Sequence, residues 1–103
     1  MFIAIVQIPM TKRARDAAVA AAAKSAPTYT ALGAKGLVRK YYLNGEAGGG
    51  GVYLWDSEAA ARAWYTPDWE KRMEAAFGAR PTVTYYNNHV VVDNETGKVK
   101  IEE

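Results

Sequence analysis

The chain carries little of the equipment of ordinary catalysis. It has no cysteine, so a thiolate nucleophile, a disulfide and a zinc finger are all excluded. Its single histidine, His89, leaves a Ser-His-Asp triad barely possible and rules out a His-rich metal site. What it has is aromatic: three tryptophans and seven tyrosines, with all the tryptophans between Gly48 and Phe77. Gln7 interrupts the apolar run Phe2 to Ile8 and is either a strand-end amide bonded to a loop or an amide at the edge of a ligand pocket. Lys12, Arg13 and Arg15 cluster where a helix begins and oppose its dipole, which reads as a solvated face in preference to an anion-facing rim. The glycines Gly48 to Gly51 are not a phosphate cradle, because such loops join a strand to a helix and need a Lys-Ser/Thr or spaced pattern that is missing here.

The elements that must position these residues follow from periodicity and punctuation. Phe2 to Ile8 reads as a central strand covered on both faces, ended by Pro9. Thr11 is placed to cap a helix, and Ala14 to Ala26 has strong helix propensity with so little bulk that its partner must approach closely. Pro27 breaks or restarts that helix. Leu37 to Leu43 is a second strand, with Arg39 and Tyr41 on one face and Lys40 and Tyr42 on the other. Asn44 to Gly51 connects it as an antiparallel hairpin to Val52 to Trp55, where Asp56 can cap a helix bearing Ala60, Ala61, Trp64 and Tyr65. Thr66-Pro67-Asp68 starts a further helix with Trp69, Met73, Ala76 and Phe77 on one side, a stripe that reads as core, and Gly78 ends it. Thr82 to Asp93 is a long strand with a bulge at Asn87-Asn88. Beyond it, Asn94 to Gly97 is a turn, and Lys98 to Ile101 is an edge strand guarded by its lysines or a tail swapped onto a neighbour.

This order is that of an α+β, ferredoxin-like split βαβ domain (βαββαβ): one antiparallel sheet, helices on one face, spanning residues 1–103 with a core over about 2–93. Strand one has no polar side, so the far sheet face needs cover, and a homodimer with its sheets face to face supplies it. A net charge of +2 argues against nucleic acid and anionic membranes. The apolar start, without a charged flank and too short to span a bilayer, points to a soluble, cytoplasmic protein.

Gly36 to Leu43, Gly50 to Ser57, Thr66 to Trp69 and Val90 to Asp93 together resemble the YdhR-type monooxygenase family of the dimeric α+β-barrel superfamily, which includes the antibiotic-biosynthesis monooxygenases. The resemblance runs from about Phe2 to Asn94. It implies a pocket between the sheet and its own helices in which a small aromatic or polycyclic phenol or quinol is oxidised by O₂, with no cofactor. It further implies Trp55 and the strand-one amide Gln7 as catalytic residues, and strand alternation puts Tyr53 beside Trp55 as the third. Tyr65, Trp69 and Met73 are the expected helical wall, and Arg39, Tyr41, Tyr85 and His89 are further substrate-binding candidates whose facing alternation leaves open. Haem-degrading relatives carry a helical histidine where Arg72 or Met73 stands here, which speaks against haem. The alternative class is a non-catalytic small-molecule binder or dimeric interaction module, consistent with the scarcity of acid and base groups. RNA recognition shares the element order and places aromatics on strand three, but the low charge and the covered sheet face disfavour it.

Overall fold

The computed structural model describes every residue from Met1 to Glu103. Four strands, β1 (Phe2–Ile8), β2 (Leu37–Gly45), β3 (Gly48–Trp55) and β4 (Thr82–Asn87), form an antiparallel sheet in the order β2-β3-β1-β4. Three helices, α1 (Arg15–Ala31), α2 (Glu58–Trp64) and α3 (Pro67–Phe77), lie between the strands in sequence, with a 3₁₀ turn at Leu32–Lys35. The architecture is α+β and compatible with a ferredoxin-like fold. No helix is long and apolar enough to cross a membrane.

Strand alternation decides where the core sits. Phe2, Ala4, Val6 and Ile8 point to the helices and are buried with Tyr53, Trp55, Leu37, Leu32, Ala61 and Trp69. The odd residues of β1 point the other way: Ile3 and Ile5 are half-buried and Gln7 is exposed. On that far face Ile3, Ile5, Val52 and Leu54 form an apolar centre flanked by exposed Tyr41 and Tyr86.

Several local expectations are met. Thr66 Oγ1 accepts the Trp69 amide at 3.2 Å, Pro67 opens α3, and Gly78 closes it in the left-handed region. Others are corrected. The cap of α2 is Ser57, whose Oγ accepts the Ala60 amide, and not Asp56. Thr11 caps nothing; α1 starts after Ala14, which makes no side-chain cap. Pro27 lies inside α1 without ending it. The turn beyond it is held because Tyr29 packs against the rings of Tyr42, Tyr53 and Trp64.

The glycine run is strand, not connection. Gly45 pairs with Gly48, so the hairpin turn is only Glu46-Ala47, and Gly49 to Gly51 pair with Ile8, Gln7 and Val6 of β1. The expected long last strand is two: the chain leaves the sheet at Asn87, where the Asn88 amide bonds the Met1 carbonyl, and β5 (Val90–Asp93) pairs with β6 (Lys98–Ile101) as a separate hairpin. The Met1 ammonium ties that hairpin down through Glu102 at 2.8 Å. Val90, Val92, Val99 and Ile101 share one exposed face of it.

Candidate ligand cavity

A cavity of about 500 Å³ opens between the helix-covered face of the sheet, α1 and α3. That is the size of a small-molecule site. Its origin lies in the residues expected to pack closely. The side of α1 that lines it presents Ala18, Val19, Ala21, Ala22 and Ser25, mostly small, and no residue of α1 is buried. Tyr29 wedged on Tyr53, Tyr42 and Trp64 props the helix at its C-terminal end, and alanine has too little bulk to fill the space left beneath it. On the sheet, Gly49 and Gly51 share the face of Tyr53 and add no side chain to the floor. Trp69, Met73 and Phe77, one stripe of α3, form the opposite wall.

Three polar groups of the cavity, Lys40, Tyr42 and Asn44, come from β2. Lys40 pairs with Tyr53 in register, and its Nζ lies 3.3 Å from the Tyr29 ring centre, 3.8 Å from that of Tyr42 and 4.7 Å from that of Tyr53. No aspartate or glutamate lines the cavity. Burial pushes Lys40 down to about 7, and the three electron-rich ring faces work against that shift by favouring the cation. The same burial raises the hydroxyls of Tyr29 and Tyr53, which therefore stay protonated. Tyr42 Oη bonds Ser25 Oγ of α1 at 2.8 Å. At the other end of β2, Asn44 bonds both backbone groups of Arg13 at 2.9 Å, and the Arg13 guanidinium lies 5.9 Å over the Phe77 ring. Arg13 is thus a cavity residue, whereas Lys12 and Arg15 are exposed.

Of the expected site residues, Tyr53, Trp69 and Met73 line the cavity. Trp55 lies outside it in the core, 0% exposed, with Nε1 donating to Tyr65 Oη at 3.2 Å. Tyr65 packs edge-on among Tyr53, Trp55 and Trp69 in the same aromatic cluster and does not reach the cavity. Tyr85 stacks on Phe2 at the β4 side, with Arg62 over its ring. Gln7, Arg39 and Tyr41 are on the far sheet face, where Arg39 Nη1 donates to Tyr41 Oη. His89 is exposed beside Glu102. Lys40, Tyr42, Tyr29 and Asn44 were not singled out by sequence as site residues. Alternation already opposed Lys40 and Tyr42 to Arg39 and Tyr41; the missing piece was the two-residue turn, which sets Lys40 across from Tyr53. No protein-family model and no curated protein matches the chain.

The caged amine makes stability depend on pH. The unfolded chain keeps this proton up to about 10.4, while the folded chain releases it at about 7. Between those values the unfolded state binds more protons, so stability rises with pH across that window. Lys40→Met should flatten the rise and, at or below neutral pH, stabilise the fold by about 1–2 kcal/mol once solvent screening of the partly exposed ammonium is allowed for. Urea titrations of both proteins at several pH values measure it; parallel curves would count against the effect of burial on the Lys40 proton.

Proposed function

We propose that the chain is a cofactor-independent monooxygenase acting on a small aromatic phenol or quinol held in the α1/α3 cavity. The observation that supports this best is an apolar cavity of about 500 Å³ in which an amine without a carboxylate partner and protonated tyrosine hydroxyls face the same space. It lies between the sheet and its own helices, the place that the resemblance to YdhR-type monooxygenases implies for a pocket. The chemistry asks the protein for little: a hydroxyl must ionise, the anion must be held, and water must be kept away. An aryloxide can then pass an electron to O₂ and combine with the reduced oxygen at a ring carbon. Phenol plus O₂ becomes quinone plus water, so all the electrons come from the substrate and no external reductant is used. Oxygen-electrode measurements with naphthols, read beside the quinone absorbance, test it. Uptake of one O₂ per quinone formed is the expected result, and binding without uptake would remove the oxygenase reading.

A non-catalytic binder of the same ligands is the second reading. Its support is that Trp55 is sealed in the core and Gln7 lies on the opposite sheet face, away from any bound ligand.

The far sheet face supports a homodimer in both readings. Burial of about 800 Å² per subunit is the norm for a stable interface, and the Ile3/Ile5/Val52/Leu54 patch is the apolar centre such an interface needs. Light scattering should give twice the 11.3 kDa chain mass, and Ile5→Arg should give the monomer. A monomeric wild type would rule the dimer out.

A further inference from the structure

The Lys40 cage holds an amine with no acidic partner. Three ring faces, from α1, β2 and β3, surround the side-chain nitrogen. The second cation on the cavity wall is Arg13, and no acidic side chain lines the wall to balance either. The sheet also leaves room for the lysine stem. A methyl group at Gly51 would sit 3.1 Å from Lys40 Cε and 2.9 Å from Tyr53 Cε1, so glycine there lets the stem lie across β3. An occupant that matches this arrangement is flat, apolar and acidic.

We propose that Lys40 accepts the proton of the substrate's aromatic or enolic hydroxyl and then holds the oxyanion, so that the cavity selects acidic hydroxyls over their neutral ethers. This rests on reading the cavity as the substrate site. In the step, the substrate O–H bond breaks, its electron pair stays on oxygen, and the proton bonds to the lone pair of the neutral Nζ. An aryloxide and an ammonium result, and no oxidant is consumed. The ring faces favour the ammonium product. The other ionisable groups facing this point are Tyr29 on α1, Tyr42 on β2 and Tyr53 on β3, with Arg72 of α3 acting on Tyr29 and Arg13 at the far end of the cavity. The Tyr29 and Tyr53 hydroxyls are held protonated by burial and do not compete for the proton role.

The test uses the full chain with 4-nitrophenol, whose anion is coloured and whose acid is not, and with 4-nitroanisole as its neutral ether. Spectrophotometric titration of the bound phenol should show the anion favoured about tenfold over its level in free solution at the same pH. Lys40→Met should abolish that preference while still binding the ether, followed by quenching of tryptophan fluorescence. Gly51→Ala, which keeps the charge but crowds the stem, should reduce the preference as well and guards against a folding defect in the first variant. An ionisation that binding leaves unchanged, or that changes equally in Lys40→Met, overturns the role of Lys40. A wild type that binds neither probe overturns the substrate-site reading and this role with it. Oxygen uptake is scored separately, so a Lys40-dependent ionisation without uptake supports the lysine's role while removing the oxygenase.

Discussion

Trp69→Ala is expected to lower the free energy of unfolding by about 3–5 kcal/mol, the largest loss for any single truncation on α3. Trp69 is 2% exposed and is the only fully buried residue of that helix. Its ring meets Tyr65 edge-on at 5.0 Å, and Tyr65 in turn contacts Tyr53, Trp55 and Tyr85, so the indole supports the whole aromatic cluster. Neighbouring side chains cannot close over the hole, because the cavity already lies on the other side of Trp69 and offers nothing to move in. The indole N–H makes no hydrogen bond. Trp69→Phe should therefore cost much less than Trp69→Ala, since it gives up ring volume without orphaning a partner. Urea denaturation followed by circular dichroism reads both. Equal losses would mean that the N–H has an important partner, and a loss under about 1 kcal/mol for alanine would mean the ring is not core.

Gly50→Ala should be nearly as damaging, at about 3 kcal/mol or more, although it adds a single methyl on a strand. Gly50 has φ +134°, a region L-residues rarely adopt, and the added methyl would run into the Val6 carbonyl oxygen of the central strand. That oxygen is backbone in the sheet ladder and cannot swing away. Gly48, at φ +121°, meets the Ile8 carbonyl in the same way. Gly51→Ala is the contrast. Its φ lies outside the left-handed region, and the crowded atoms are Tyr53 Cε1, the Tyr41 carbonyl oxygen and Lys40 Cε, of which the lysine end can swing aside. A comparison of thermal midpoints should place Gly51→Ala below wild type but well above Gly50→Ala. Similar midpoints would show that the glycine run is needed for turn flexibility, not for strand geometry.

Both effects trace to how the helix and sheet layers meet around the cavity. Within Gly48 to Gly51, alternate glycines allow the chain to press against β1, and the intervening ones keep the sheet face bare beneath α1. The cavity is therefore built from omissions: alanines on the helix above and glycines on the strand below, with aromatic rings at the ends to keep the layers apart. Filling either layer should close it.

What the residues determined on their own were features set by neighbours in the chain. Alternation in β1, β2 and β3, the Thr66-Pro67 start and Gly78 stop of α3, the Trp69/Met73/Phe77 stripe and the strand–helix order all depend on atoms a few positions apart. For that reason local chemistry was enough to read an α+β domain with a four-stranded antiparallel sheet. The errors came where distant contacts compete with local preference: Pro27 stays helical because Tyr29 is anchored in the core, and the glycine run becomes strand because β1 supplies its partners. The resemblance implied a pocket between sheet and helices, but its polar wall belongs to the tertiary structure. Alanine-rich α1 promised close packing, and only the three-dimensional meeting of Tyr29, Tyr42 and Tyr53 shows that the helix is held off instead, with Lys40 caged beneath it. Burial and ring proximity set the charge of that lysine, and both are properties of residues far apart in the chain that no local pattern records.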